Sequence, residues 1–146
     1  METKLILVVE DNPLEVALTT RALRHCQVEH DVIVAQDGSD ALDFLFCTGE
    51  YAQRDQSQVP HLILLDMRLP DIDGLEVLRR IREDEHLKQV PVVILTSSSE
   101  EDDLAKSYEL GANSFVRKPV DFNAFTTIVR QLGLYWLVVN ELPMTH

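Results

Sequence analysis

The feature that most constrains the fold is an alternation. Five short strand-like segments, at residues 5–9, 31–35, 62–65, 90–96 and 114–117, are each followed by a stretch with helical spacing. The central run, Leu62-Ile63-Leu64-Leu65, has no polar residue and is closed by Asp66 and the turn-forming Pro70, Asp71, Asp73 and Gly74. A continuous apolar run of that length reads as a strand buried on both faces, as in parallel sheets. Strands alternating with helical patterns imply βαβ units. Right-handed crossovers then put helices on both faces of a parallel sheet. The expected class is α/β, a doubly wound five-stranded parallel sheet.

The helical patterns carry their own punctuation. Asn12-Pro13 supplies a cap and a first-turn proline for a helix to about Arg24, with Leu14, Ala17, Leu18 and Ala22 at core spacing. Gln36-Asp37-Gly38 is a turn before a helix bearing Ala41, Leu42, Leu45 and Phe46. Residues 48–60 are polar and read as a long surface loop. Pro70 and Asp71 can start a helix carrying Val77, Leu78 and Ile81, and Ser98 with Glu101 forms a capping-box pattern before a helix that stops at Gly111. Asp121 caps a final helix expected to reach about Asn140.

With 146 residues and 45% hydrophobic content, one domain with a full core is expected over residues 1–146. The net charge of −12 argues against nucleic acid, whose phosphates require clustered Lys and Arg. Arg79, Arg80 and Arg82 sit among acids. Cys26 and Cys47 form no CxxC pair and read as buried, inert thiols in a reducing compartment. The first apolar run is too short for a signal peptide or a membrane span, so a cytoplasmic protein that does not enter a membrane is expected.

Chemistry gathers at strand ends. Glu10-Asp11, Asp66, Thr96 and Lys118 each stand at the end of an expected strand, and in a parallel sheet they emerge at one edge, where open α/β sheets place their ligands. Neighbouring strands lie about 4.8 Å apart. If the first and third strands are adjacent, three carboxylates meet in a small volume. Such a cluster is costly without a cation, and hard oxygen donors suit Mg²⁺. A carboxylate nucleophile, a divalent cation, a hydroxyl and an ammonium together describe phosphoryl transfer through an aspartyl phosphate. Taken singly, the signals are weaker: Glu10-Asp11 also reads as a pair of capping acids, Thr96 as structural and Lys118 as solvated. A cis Lys118–Pro119 bond would aim the amine, but cis is the minority state of such bonds.

Over essentially its whole length the chain resembles the receiver domain of two-component response regulators. The resemblance is carried by Val8-Val9-Glu10-Asp11-Asn12, Leu64-Leu65-Asp66-Met67-Arg68-Leu69-Pro70-Asp71-Ile72-Asp73-Gly74, Val93-Ile94-Leu95-Thr96, and Gly111-Ala112-Asn113 through Val116-Arg117-Lys118-Pro119. It implies a flavodoxin-like (βα)5 fold, as in chemotaxis-type regulators, with strand order 2-1-3-4-5. It implies Asp66 as phosphoacceptor. Glu10, Asp11, Asp66 and the backbone carbonyl of Arg68 would hold Mg²⁺ or Mn²⁺, and Thr96 and Lys118 would contact the phosphoryl group. Thr96 and Phe115 would form the switch pair. Many members carry Asp-Asp where this chain has Glu10-Asp11, which bears on metal affinity. The loop from Gly49-Glu50-Tyr51 to Pro60, the segment Ser107-Tyr108-Glu109-Leu110-Gly111, and the tail from Tyr135-Trp136-Leu137 to Leu142-Pro143 further resemble stand-alone regulators that partner bacterial phytochrome kinases. The implied partner is a sensor histidine kinase of phytochrome type.

No output domain is expected after the last helix, so output is expected through protein contact. Phe122, Phe125, Ile128, Val129, Leu132 and Trp136 make one stripe suited to packing on the sheet, and Leu134, Tyr135, Leu137, Val138 and Val139 make the final turns apolar nearly all round. Homodimerisation is expected through Phe125, Val129, Leu132, Tyr135, Trp136 and Val139; the alternative is an apolar end folded back over the domain. Three rival classes make different demands on the sequence. A hydrolase with an aspartyl nucleophile needs a second acid at the position of Arg68. A pseudo-receiver would not keep the full acidic pair with Asp66, Thr96 and Lys118. A nucleotide- or flavin-binding fold would show a Gly-rich loop after the first strand. The chain is thus expected to catalyse only its own phosphorylation and dephosphorylation.

Overall fold

The computed structural model describes residues 3–26, 28–97 and 100–143. Its elements are β1 (Lys4–Val9), α1 (Pro13–Leu23), β2 (His30–Ala35), α2 (Gly38–Phe46), a 3₁₀ turn (Gly49–Tyr51), β3 (Leu62–Leu65), α3 (Gly74–Glu83), β4 (Val92–Thr96), α4 (Glu101–Glu109), β5 (Ser114–Arg117), α5 (Phe122–Leu134) and a terminal π-helical turn (Tyr135–Val139). The five strands are parallel in the order β2-β1-β3-β4-β5, which is the expected doubly wound, flavodoxin-like topology.

Alternation along the central strands divides the core. Leu7, Val9, Ile63, Leu65 and Ile94 point to the side covered by α2 and α3. Ile6, Val8, Leu62, Leu64, Val93 and Leu95 point to the side covered by α1 and α5. Because β1, β3 and β4 are buried on both faces, their sequences are continuous apolar runs rather than alternating ones.

Several helix faces differ from expectation. In α1 the buried residues are Thr19, Ala22 and Leu23, whereas Leu14 and Ala17 are exposed. The first turn of α1 stands beside the acidic edge of the sheet, not over its face, so Leu14 has no core to enter. In α2, Phe44 is buried with Ala41, Leu42 and Leu45, and Phe46 is only partly covered. Residues 48–60 form the expected long surface loop, mostly exposed and broken only by the 3₁₀ turn, but the loop is tied down on α2. Tyr51 packs edge-on against Phe44, and the Arg54 guanidinium lies 4.0 Å from the Phe44 ring centroid. Arg54 also donates to the carbonyls of Phe44 and Gln58, at 2.9 and 2.7 Å, folding the segment back on α2. Helix α3 is capped by Asp73, not Asp71. Helix α4 is preceded by Glu100, which makes no side-chain cap bond; Ser98, the other half of the expected capping box, lies outside the described residues. Cys26 and Cys47 are free but half-buried rather than buried, and Cys47 ends α2 in the left-handed conformation with φ of 57°.

The last helix corrects the expected interface. Phe125 and Val129 are buried in the core on the α1 side of the sheet, so neither is available to a partner. Leu132 and Trp136 are partly buried against the same cluster. Leu134, Tyr135, Val138 and Val139 are exposed, while Leu137 turns inward. The helix ends in a π turn closed by the Asn140 N–H donating to the Tyr135 carbonyl, and the buried face continues through Phe125, Val129, Gly133 and Leu137 without a break. Among the described residues no helix is long and apolar enough to cross a membrane.

Candidate phosphoryl-transfer site

Strand pairing assembles the acidic edge. Val9 pairs with Leu65, so Glu10 and Asp66 leave adjacent strands side by side. The Glu10 N–H donates to the Ala35 carbonyl at 3.0 Å and the Asp66 N–H to the Val9 carbonyl at 3.1 Å, so both residues are fixed by the ends of the ladders. Both carboxylates are buried, while Asp11 is exposed at the rim. One oxygen from each of Glu10, Asp11 and Asp66 lies within 4.8 Å of the others. The adjacency on which the sequence argument depended is therefore met. Three hard oxygen donors crowded at one edge fit a divalent cation such as Mg²⁺ or Mn²⁺.

Lys118 closes the cluster. It follows β5, and its N–H donates to the Thr96 carbonyl at 2.7 Å, which sets the strand end opposite β4. Its side chain is 6% exposed, and its Nζ donates to Glu10 Oε1 and to Asp66 Oδ2 at 3.0 Å and forms an ion pair with Glu15 Oε1 at 3.0 Å. Burial opposes the ammonium charge, but the hydrogen bond to Glu10 and the charges of Asp66 and Glu10, with Glu15, outweigh it and raise the Lys118 pKa. Burial also pushes the Glu10 carboxyl up, to about 7; the Asp66 charge adds to this, against the lowering effect of Lys118 and of the Asn12 N–H. Glu10 is thus a carboxylate whose charge is costly in the free protein and which a cation would relieve. The Lys118–Pro119 bond is trans.

The loop after β3 frames Asp66. The Arg68 N–H donates to Asp66 Oδ1 at 3.1 Å, and the Arg68 guanidinium reaches α4, donating to Asp103 at 2.9 Å with Glu100 at 4.0 Å. The position at which a phosphatase would carry an acid is therefore occupied by a cation paired with α4. Gly74 lies against the Asp66 main chain, where a β-carbon would stand 2.2 Å from the carbonyl oxygen. Asp71 caps α2 from across the loop: its carboxylate accepts from the N–H groups of Gly38, Ser39 and Ile72 at 2.8, 3.1 and 2.6 Å. Partial burial opposes ionisation there, but the Ser39 side chain and these three N–H groups hold its pKa at about 2.

Thr96 is fully buried at the end of β4. Phe115 lies on β5 opposite Ile94, partly buried against the α2–α3 side of the core. Its N–H donates to the Tyr108 hydroxyl of α4 at 3.2 Å, so α4 covers the edge of the sheet at Phe115. Two residues here carried no sequence signal: Glu15 and Asp103 look like solvated helix acids until the fold places a cation beside each. Tyr108 is marked in the sequence only as part of the segment 107–111, with no sign of its contact with the edge strand.

The comparisons with known proteins agree with this geometry. The response regulator receiver domain family matches residues 6–130. Response regulator Rcp1 of Synechocystis sp. is 39% identical over 140 residues, covering 96% of this chain and 93% of Rcp1. The phosphorylated cyanobacterial phytochrome response regulator RcpA superposes with a TM-score of 0.92 at 39% identity, covering 98% of this chain and all of that one. The Mn²⁺-bound form of Rcp1 superposes with a TM-score of 0.90 at 38% identity, covering 97% of this chain and 99% of that one. With the family matched across most of the chain and the acidic edge and its lysine in place, this protein belongs to the response regulator receiver domain family.

Proposed function

We propose that this chain is a phosphorelay switch that takes a phosphoryl group from the phosphohistidine of a sensor histidine kinase onto Asp66. The observation that carries the reading is the convergence of Glu10, Asp11 and Asp66 with the buried Lys118. In the transfer an Asp66 oxygen bonds to phosphorus, the phosphorus–nitrogen bond breaks, and the imidazole leaves with its electron pair. Asp66 would attack through the carboxylate whose Oδ1 is held by the Arg68 N–H. Glu10, Asp11 and Asp66, with the Arg68 carbonyl, would hold Mg²⁺, which when bound neutralises charge on the phosphoryl oxygens. Lys118 and the Thr96 hydroxyl would contact those oxygens from the other side. New contacts at Thr96 would bias Phe115 and its neighbours, so the responsive surface is α4, β5 and α5.

The likeness to Rcp1 and RcpA supports a phytochrome-type kinase as partner. The net charge of −12 supports output through protein contact in the cytoplasm and not through nucleic acid. One receiver domain spanning residues 1–146 is sufficient for that role. A homodimer would use the exposed end of the last helix, Tyr135 and Val139 together with Leu134 and Val138, flanked by the half-buried Leu132 and Trp136. A single species matching the monomer mass in sedimentation at high concentration, with and without phosphorylation, would remove that part of the reading.

The kinase reading is tested by phosphotransfer. A phytochrome-type kinase and an unrelated histidine kinase are each labelled with [γ-³²P]ATP and mixed with the chain and Mg²⁺. Label should pass to the wild type and not to Asp66→Asn, and faster from the phytochrome-type kinase. Equal rates from both kinases would contradict the phytochrome assignment; no transfer from either would contradict the relay.

A further inference from the structure

The fourth carboxylate at the site, Glu15, belongs to neither the metal cluster nor the phosphoacceptor. An ammonium has three N–H donors. Two of those of Lys118 donate to Glu10 and Asp66, and Glu15 Oε1 stands 3.0 Å from the Nζ as its ion-pair partner. Glu10 and Asp66 belong to the trio whose oxygens converge within 4.8 Å, and Glu15 does not. When Glu10 and Asp66 turn their oxygens to a divalent cation, they become poorer acceptors for an ammonium that the added positive charge also repels. Lys118 is then left with one unchanged partner. At 6% exposure its side chain has little water to replace the two lost bonds, and an unpaired buried charge is costly.

Glu15 is well placed to be that partner. It sits in the first turn of α1, where its N–H donates to the capping Asn12 side chain at 3.2 Å, and its own side chain is 28% exposed, at the outer edge of the site. We propose that Glu15 is a positioning residue that keeps the Lys118 ammonium at the mouth of the site while Glu10 and Asp66 engage the cation and the incoming phosphoryl group. The proposal rests on the phosphoacceptor reading of Asp66. A different role for the same carboxylate, a fourth negative charge that merely repels the donor, makes the opposite prediction for its removal.

The test uses the full chain labelled with ¹⁵N at lysine, with the Lys118 ammonium resonance assigned by Lys118→Arg. In the wild type that resonance should stay protected from solvent exchange at saturating Mg²⁺. In Glu15→Ala it should be present without Mg²⁺ and exchange away when Mg²⁺ is added. Glu15→Gln keeps an acceptor oxygen and should retain it. With acetyl phosphate as donor, Glu15→Ala should be phosphorylated about tenfold more slowly than the wild type, the effect of one charge-assisted hydrogen bond, and Glu15→Gln should lose less. Loss of the wild-type resonance on adding Mg²⁺ would overturn the proposal, as would faster phosphorylation of both variants. A resonance that depends on Glu15, in a wild type that never gains a phosphoryl group, would uphold the tether and refute the phosphoacceptor reading instead.

Discussion

Gly74 and Asp66 are in main-chain contact: a β-carbon at residue 74 would stand 2.2 Å from the Asp66 carbonyl oxygen and 2.8 Å from the Met67 α-carbon. The start of α3 is therefore packed directly on the proposed phosphoacceptor. Both clashing atoms are backbone, so no side-chain rotation relieves them. Gly74→Ala is expected to cost about 3 kcal/mol, at the upper end of overpacking substitutions, and to slow phosphorylation at Asp66 because the loop must move to admit the methyl group. Urea unfolding and the acetyl phosphate rate check the two effects. A variant with wild-type stability and rate would show that the contact is not tight.

Asp71 ties this loop to α2 through three backbone N–H groups. Asp71→Ala should cost about 1 kcal/mol at neutral pH, the usual worth of a lost helix cap. With a folded pKa of about 2, below the ordinary carboxylate value, the contribution is fully present above about pH 4 and fades as pH falls towards 2, when the folded protein protonates. The stability difference between wild type and variant, followed by urea unfolding from pH 7 to 2.5, should shrink over that window. A difference that stays constant would refute the assignment.

Glu10 carries a proton in the free protein up to about pH 7, because burial raises its carboxyl. A cation binds only the deprotonated form. Mg²⁺ affinity should therefore rise about tenfold per pH unit below neutrality, with a proton released, and level off above it. Calorimetric titration at pH 6 and pH 8 in buffers of different ionisation enthalpy checks both affinity and proton count. In Glu10→Gln the dependence should vanish along with part of the affinity.

Arg82 was legible only as a charge among acids. In the structure it is a half-buried staple whose guanidinium donates to the carbonyls of Gly111, Lys88 and Val90 and to the Asn113 side chain, at 2.7 to 3.0 Å. Desolvation lowers its pKa, and carbonyl dipoles rather than carboxylates satisfy it. Arg82→Ala should destabilise the domain by about 2 kcal/mol, because the part-buried carbonyls of Gly111 and Val90 lose their donor. Arg82→Lys should recover little, since a point ammonium does not span the guanidinium fork. Thermal unfolding of both variants decides this.

The last helix separates core from surface residue by residue. Phe125→Ala should cost about 3–5 kcal/mol, because its ring is buried between helix and sheet. Val139→Glu, at an exposed position, should leave stability within about 0.5 kcal/mol and shift any dimer to monomer. Unfolding and sedimentation on the same pair of variants distinguish the two roles, and a Phe125→Ala protein of wild-type stability would contradict the packing.

These residues also show where sequence reasoning ends. Strand ends were readable because burial on both faces leaves an uninterrupted apolar run, and the polar residue that closes it is conspicuous. Asp66 and Thr96 are legible that way, whereas Lys118 follows the half-exposed edge strand β5 and is marked by its Lys-Pro step; the parallel topology brings all three to one edge. Helix faces were less readable. Leu14 has core periodicity in α1, but the helix starts beyond the sheet and leaves it exposed. In the last helix the buried face runs through Phe125, Val129 and Leu137, and the expected interface joined Phe125 and Val129 of that face to the exposed Tyr135 and Val139, because an apolar side chain reads alike on either face. Asp71 and Asp73 both resemble caps, and only the fold reveals that they cap different helices. Glu15 and Asp103 meet their cations through contacts between elements distant in sequence, which no local pattern encodes.

The central claim is that Asp66 is a metal-dependent phosphoacceptor, and intact mass tests it most directly. The wild type, Asp66→Asn and a metal-free wild-type sample are incubated with acetyl phosphate, the first two with Mg²⁺, and weighed by mass spectrometry. One added phosphoryl group on the wild type with Mg²⁺, and none in the other two samples, is the predicted result. An unmodified wild type, or a group that Asp66→Asn still acquires, would contradict the account.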